Sequence, residues 1–143
     1  MDTLDYEILR LLQENSRISI TELSKKINLS RPSVSERLSK LIESGVIDKF
    51  TTLLSTQKLS QNVVFFMTIS DLKVSSDQIV EQLKANPYII EIHCVTGKTN
   101  YFAKACMPNI EEMNLFLSEL TKVCHVVTSV VLHSPLTHRP LKL

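Results

Sequence analysis

Between Ser19 and Ile47 the chain reads SITELSKKINLSRPSVSERLSKLIESGVI. This stretch constrains the fold more than any other. It predicts two short helices separated by a tight turn, followed by a strand. Ser19 opens the first helix, with Glu22 three residues on as its capping-box partner. Ile20, Leu23 and Ile27 give that helix an apolar side, and it stops near Asn28. Leu29 falls in the turn, where it can plug the core between the helices. Ser30 is the N-cap of the next helix, and Pro32 is tolerated in the first turn, where no intrahelical donor is lost. Val34, Leu38 and Leu41 form the inner stripe, and Gly45 is placed to end the helix in a left-handed cap. The second helix carries small polar and basic residues on its outer side. That is the layout of a helix-turn-helix whose second helix enters a DNA major groove.

Charge is distributed to match. The whole chain carries only +1, which argues against a nonspecific polycation. Residues 24–40 hold Lys25, Lys26, Arg31, Arg37 and Lys40 against Glu36 alone, so the rest of the chain is net negative. A confined basic patch on a near-neutral protein points to a confined anionic partner.

A further helix precedes the motif, with Leu4, Ile8, Leu11 and Leu12 at helical spacing. After Gly45 the residues from Val46 to Leu54 are rich in strand formers, and Thr56 to Asn62 is a polar connector. The second half then changes rhythm. Val63 to Ile69 reads as a strand. Ser75 with Gln78 opens a helix carrying Ile79, Val80 and Leu83, which ends at Asn86-Pro87. Ile89 to Thr96 and Tyr101 to Met107 are strands around a turn at Gly97 to Asn100. Asn109 with Glu112 caps a helix carrying Ile110, Met113, Leu117 and Leu120, and Val126 to Leu132 is the last strand. The order β-α-β-β-α-β predicts a ferredoxin-like sandwich, an antiparallel sheet with both helices on one face. Its other face is also apolar, and sheet-to-sheet dimerisation is the simplest way to cover it.

The expected class is therefore α+β. Residues 1–48 form a winged-type three-helix DNA-binding domain, 49–62 a strand and linker, and 63–143 a ferredoxin-like regulatory and oligomerisation domain. No apolar run is long enough to span a bilayer, and the acidic start MDTLDYEILR is unlike a signal peptide. A cytoplasmic protein with no membrane partner is expected. Cys94, Cys106 and Cys124 include no CxxC pair, which argues against a disulfide framework or zinc ribbon. They are expected to be buried thiols. No metal site, no cofactor and no catalytic residue is expected.

Three segments together resemble the leucine-responsive regulatory protein/asparagine regulator (Lrp/AsnC) family of prokaryotic transcription regulators. LDYEILRLLQENSRISITELSKKINLS looks like the family's start, with its Leu-Asp pair and an Arg before the second helix. VSERLSKLIESGVI is similar to the recognition helix and the turn after it. VTGKTNYFAKACM resembles the Gly-x-x-Asp-Tyr hairpin of the regulatory domain. The resemblance implies dimers that assemble further, often to octamers. It also implies an amino acid or related effector bound near the sandwich hairpins. Carried over residue by residue, the effector positions are Gly97, Asn100, Tyr101 and Thr128. Asn100 stands where the family usually has Asp, and a neutral amide is a weaker partner for an ammonium group than a carboxylate.

At about 100° per residue from Val34, the outward positions of the recognition helix include Pro32, Ser35, Glu36, Ser39, Lys40 and Glu43, with Ser33 on the flank. Base-edge contacts come mainly from the start of such a helix. They are assigned to Arg31, Ser33 and Ser35, with Glu36 as a further candidate. Ser30, Lys25 and Lys26 complete the expected DNA-binding set, and Lys40 suits a phosphate. Arg37 lies between core and groove, as a phosphate clamp or in an ion pair with Glu14 or Glu22. Two other functions share the fold: an architectural DNA-wrapping protein without effector, and an enzyme resembling the siroheme decarboxylases. The second would need a basic, His-bearing cavity, whereas His93, His125, His133 and His138 show no acid–base spacing. A metal-sensing repressor would need clustered Cys/His ligands, and these are scattered.

Overall fold

The computed structural model describes residues 1–60 and 62–143 of the 143-residue chain. It divides into two compact units, Met1–Leu53 with Leu136–Leu143, and Leu54–Pro135.

The first unit contains α1 (Thr3–Glu14), α2 (Ile20–Lys26) and α3 (Arg31–Glu43). Their apolar sides meet in one core of Ile8, Leu9, Leu12, Leu23, Ile27, Val34 and Leu41, with Leu29 and Leu38 packed against it. Local hydrogen bonds fix where each helix begins. Asp2 and Asp5 form a capping box on α1, Ser19 and Glu22 another on α2, and the Ser30 hydroxyl accepts the Ser33 N–H on α3. The turn between α2 and α3 runs through Asn28 at φ +54°. Asparagine tolerates that left-handed conformation better than most residues. The Leu29 N–H then donates to the Ser24 carbonyl at 3.0 Å, which satisfies a helix-end acceptor in the manner of a Schellman cap. Gly45 ends α3 at φ +73°. The final residues return to this unit. Leu141 donates its N–H to Gln13 Oε1 (2.6 Å) and accepts from Gln13 Nε2 (3.2 Å).

The expected strand after Gly45 does not form. Val46 to Leu54 is irregular backbone, and Phe50, Leu53 and Leu54 are exposed. Strand-forming side chains cannot make a strand without a neighbouring edge to take up the backbone donors and acceptors. Gln61 of the connector lies outside the described residues.

The second unit contains β1 (Val63–Ser70), α4 (Ser76–Ala85), β2 (Ile89–Cys94), β3 (Tyr101–Met107), α5 (Ile110–Leu120) and β4 (His125–Val130). The strands form one sheet in the order β2-β3-β1-β4, and every neighbouring pair is antiparallel. This is the βαββαβ sandwich. Strand alternation sends Val63, Phe65, Met67 and Ile69 to the helix-covered face, where they meet Ile79, Leu83, Met113 and Leu120. Phe65 stands opposite Ala105 and Met67 opposite Ala103, so the bulk of one strand fills the space left by its neighbour.

Two sequence expectations are corrected here. Cys106 and Cys124 are buried, but Cys94 is exposed, because it ends the edge strand β2. Ile110 is half exposed, because it is the first residue of α5, ahead of the turn that packs on the sheet. Among the described residues, no helix is long and apolar enough to cross a membrane.

Phe65→Ala is expected to cost about 3–5 kcal/mol through lost burial and the cavity left behind. Ile110→Ala, already half in water, should cost under about 1 kcal/mol. Denaturant unfolding of the two variants checks the contrast.

Candidate DNA-binding interface

The outer side of α3 is built by what its inner side does. Val34 and Leu41 are buried and Leu38 half-buried, so Arg31, Ser35, Glu36 and Lys40 are turned to the surface, with Ser33 half-buried beside them. Ser30 and Ser33 are linked through their hydroxyls at 2.8 Å, which anchors both at the start of the helix. Arg31, Lys25 and Lys26 are exposed and, among the described residues, take part in no ion pair within 4 Å. Lys25 and Lys26 lie in the last turn of α2. Three exposed cations thus flank the turn that precedes α3. Lys40 is different: its amine lies 2.7 Å from Glu36 Oε1, one turn back, and both side chains are largely in water. Such a pair is weak, and a phosphate could take the lysine from it.

Arg37 is placed by its partners. Neither Glu14 nor Glu22 reaches it. Its guanidinium instead sits between Asp2 and Asp5 at the start of α1. Nη1 lies 2.7 Å from Asp5 Oδ1 and 3.0 Å from Asp2 Oδ1, and Nη2 lies 2.9 Å from Asp2 Oδ2. Sequence reasoning missed these two carboxylates. The available signal was Asp2-x-x-Asp5 ahead of an apolar helical run, the spacing of an N-terminal cap.

In the sandwich, Gly97 adopts φ +107° in the β2–β3 turn, a conformation that favours glycine. Asn100 is exposed there. Its N–H donates to the Ile69 carbonyl at 2.8 Å, and its carbonyl accepts from Val95 at 3.1 Å. Tyr101, beside it, is buried in the core. Thr128 lies on β4, opposite Met67, with β1 between it and Tyr101. One chain therefore brings Gly97, Asn100 and Tyr101 together at a turn and leaves Thr128 across the central strand. A groove of about 420 Å³ between α4 and α5, lined by Tyr88, Glu112, Phe116 and Glu119 among others, includes none of the four.

The sheet face away from the helices carries Phe66, Phe102 and Val127, all substantially exposed. Lys104 lies among them, 3.0 Å from Glu91 Oε1 and 5.6 Å over the Phe66 ring. Partial burial would raise the Glu91 carboxyl; the bond from Lys104, with His93 adding to it, outweighs that and holds it below its ordinary value.

Fold and surface together define a two-unit protein, a helix-turn-helix reader joined to an α+β sandwich. Comparison with known proteins also finds two parts. Residues 1–48 match a winged helix-turn-helix DNA-binding family, and residues 63–141 match the Lrp/AsnC ligand binding domain. The chain belongs to the Lrp/AsnC family and is a DNA-binding transcriptional regulator with an effector-binding domain. It is 29% identical to the HTH-type transcriptional regulator FL11 of Pyrococcus furiosus, over 99% of this chain and 97% of that protein. An uncharacterised HTH-type regulator of Pyrococcus horikoshii is 33% identical, over 83% of this chain and 75% of its own length. LrpC of B. subtilis superposes with a TM-score of 0.90 at 26% identity, covering 96% of this chain and 99% of its own. A Neisseria meningitidis transcriptional regulator in complex with L-Met has the same fold, with a TM-score of 0.90 at 24% identity over 99% of this chain and 96% of that one.

The cap on α1 also sets a pH dependence. Reciprocal backbone N–H bonds, and then Arg37, hold the Asp2 and Asp5 carboxyls below the ordinary aspartate value of 3.8. The unfolded chain therefore takes up protons first as pH falls. The stability from this cluster is complete above the ordinary value and is lost as pH drops through the lowered one. Thermal unfolding below about pH 4 should fall more steeply for the parent chain than for an Asp2→Asn/Asp5→Asn variant.

Proposed function

We propose that the chain is a sequence-specific regulator that reads duplex DNA with the start of α3 and works as a cytoplasmic homo-oligomer rather than an enzyme. The observation that carries this reading is Arg31, exposed and, among the described residues, in no ion pair, at the N-terminus of a helix whose opposite side is buried. Arginine is the commonest reader of guanine through O6 and N7. Ser33 and Ser35 are small enough to let the helix approach the base edges, and Ser30 fixes its start. Lys25, Lys26 and Lys40 would meet phosphates, which position the protein without carrying sequence information. Glu36, held by Lys40 in the free chain, would become available to a cytosine amine once a phosphate draws that lysine away.

A second copy is the proposed cover for the apolar sheet face around Phe66, Phe102 and Val127, giving a dimer that can assemble further to an octamer. Dimeric readers take two half-sites about one helical turn, or a multiple, apart. The effector is proposed to be an amino acid or related molecule held near Gly97, Asn100 and Tyr101, with Thr128 supplied across the assembly. The L-Met complex of the structural neighbour supports that class of ligand. Asn100 supplies no negative charge to the ammonium group, so a side-chain-selective or weak effector is expected.

Selection from a random duplex pool, with and without an amino acid mixture, tests the proposal. Sites with dyad symmetry are expected, and a shift in their recovery when amino acids are present. On the recovered site, Arg31→Ala should weaken binding by about 1–3 kcal/mol and relax preference at one base pair. Lys40→Ala should weaken selected and random DNA alike. No enrichment, or an equal loss on both DNAs for Arg31→Ala, would refute base reading by α3.

A further inference from the structure

We propose that Arg37 is a positioning residue for DNA readout. It fixes the roll of α3 on α1 through Asp2 and Asp5, and does not neutralise a phosphate. This rests on the reading of α3 as the recognition helix. Three features of the cluster support it.

The first is directionality. The remaining α1–α3 contact is apolar packing of Ile8, Leu9 and Leu12 with Val34 and Leu41. Apolar burial is non-directional and tolerates small rotations. A surface groove of about 670 Å³, lined by Asp5, Ser33, Arg37, Lys40, Leu41 and Val46 among others, lies alongside. The guanidinium is a planar fork with fixed donor angles. Both of its terminal nitrogens are engaged at 2.7–3.0 Å.

The second is the rigidity of the acceptors. Asp2 N–H donates to Asp5 Oδ2 at 2.9 Å, and Asp5 N–H donates to Asp2 Oδ1 at 3.0 Å. The two carboxylates are therefore part of the backbone start of α1 and not loose surface groups. Arg37 ties α3 to the axis of another helix. Ser33 and Ser35, less than two turns before it, move with any roll of α3.

The third is charge. Two carboxylates surround the one guanidinium, and the next cation outward, Lys40, is paired with Glu36. An approaching phosphate can draw Lys40 from Glu36, whereas the charge of Arg37 is already met by two carboxylates held at 2.7–3.0 Å. At the other end of the motif, Arg31, Lys25 and Lys26 take part, among the described residues, in no ion pair within 4 Å. The clamp reading of Arg37 would require it to leave two carboxylates behind.

The test measures binding of the full-length chain to its selected site and to random duplex over a range of salt. The variants are Arg37→Lys, Arg37→Gln and Asp5→Asn. The asparagine keeps a capping oxygen but loses the charge facing Arg37. Selected-to-random preference should fall roughly tenfold, the scale of one good base contact, in all three. The salt slope should stay at the parent value in Arg37→Gln. A slope reduced by about 0.9 per chain, with selected and random DNA weakened together, would make Arg37 a phosphate contact and overturn the proposal. Lower melting temperatures with preference unchanged would leave only a structural role and would overturn it equally. A parent chain without any preference would refute DNA reading by α3 and this proposal together. A selective parent with unmoved variants would refute only the role of Arg37.

Discussion

Val34 and Leu41 hold α3 from one side, against a core supplied by α1 and α2. That one-sided burial is the constraint on which the rest of the helical unit depends. A helix buried all round could offer nothing to a groove, and one held by nothing would not present a fixed row of side chains. The apolar stripe is narrow, and the residues between its members are small or charged. The start of the helix can then face outward without a cost in exposed apolar surface.

The polar groups complete what packing leaves loose. Ser19 and Ser30 fix where α2 and α3 begin, and Asn28 sets the turn between them. Arg37 links α3 to the capped start of α1. Among the described residues, Lys25, Lys26 and Arg31 beside the turn are in no ion pair within 4 Å. The near-neutral net charge of the chain hides this local asymmetry. In the sandwich unit the same economy applies to a sheet. One face is filled by α4 and α5, while the other keeps Phe66, Phe102 and Val127 in water unless another surface covers them.

What could be read from the sequence was what is local. The Ser19–Glu22 and Ser75–Gln78 boxes, the Ser30 and Asn109 caps and the left-handed glycines at Gly45 and Gly97 all depend on partners within a few residues. The strand alternation around Phe65 is equally local, and with the two capped helices it yields the βαββαβ order. What could not be read depends on partners far along the chain. Arg37 meets carboxylates 32 and 35 residues away, and Leu141 returns to Gln13 across 128 residues. Cys94 looks like its buried neighbours in sequence but ends an edge strand. Val46 to Leu54 has the composition of a strand and pairs with none of the described strands. The proposed effector positions divide in the same way: the turn around Gly97 and Asn100 was legible, while the burial of Tyr101 and the separation of Thr128 follow from the order of the strands.

The face of α3 turned away from the core is the one proposed to meet DNA. Amide hydrogen exchange of the full chain, followed by mass spectrometry with and without its selected duplex, tests it directly. Slowed exchange is expected in peptides covering Lys25 to Lys40, with little change across β1 and β3. Unchanged exchange over α2 and α3, together with protection concentrated elsewhere in the chain, would contradict it.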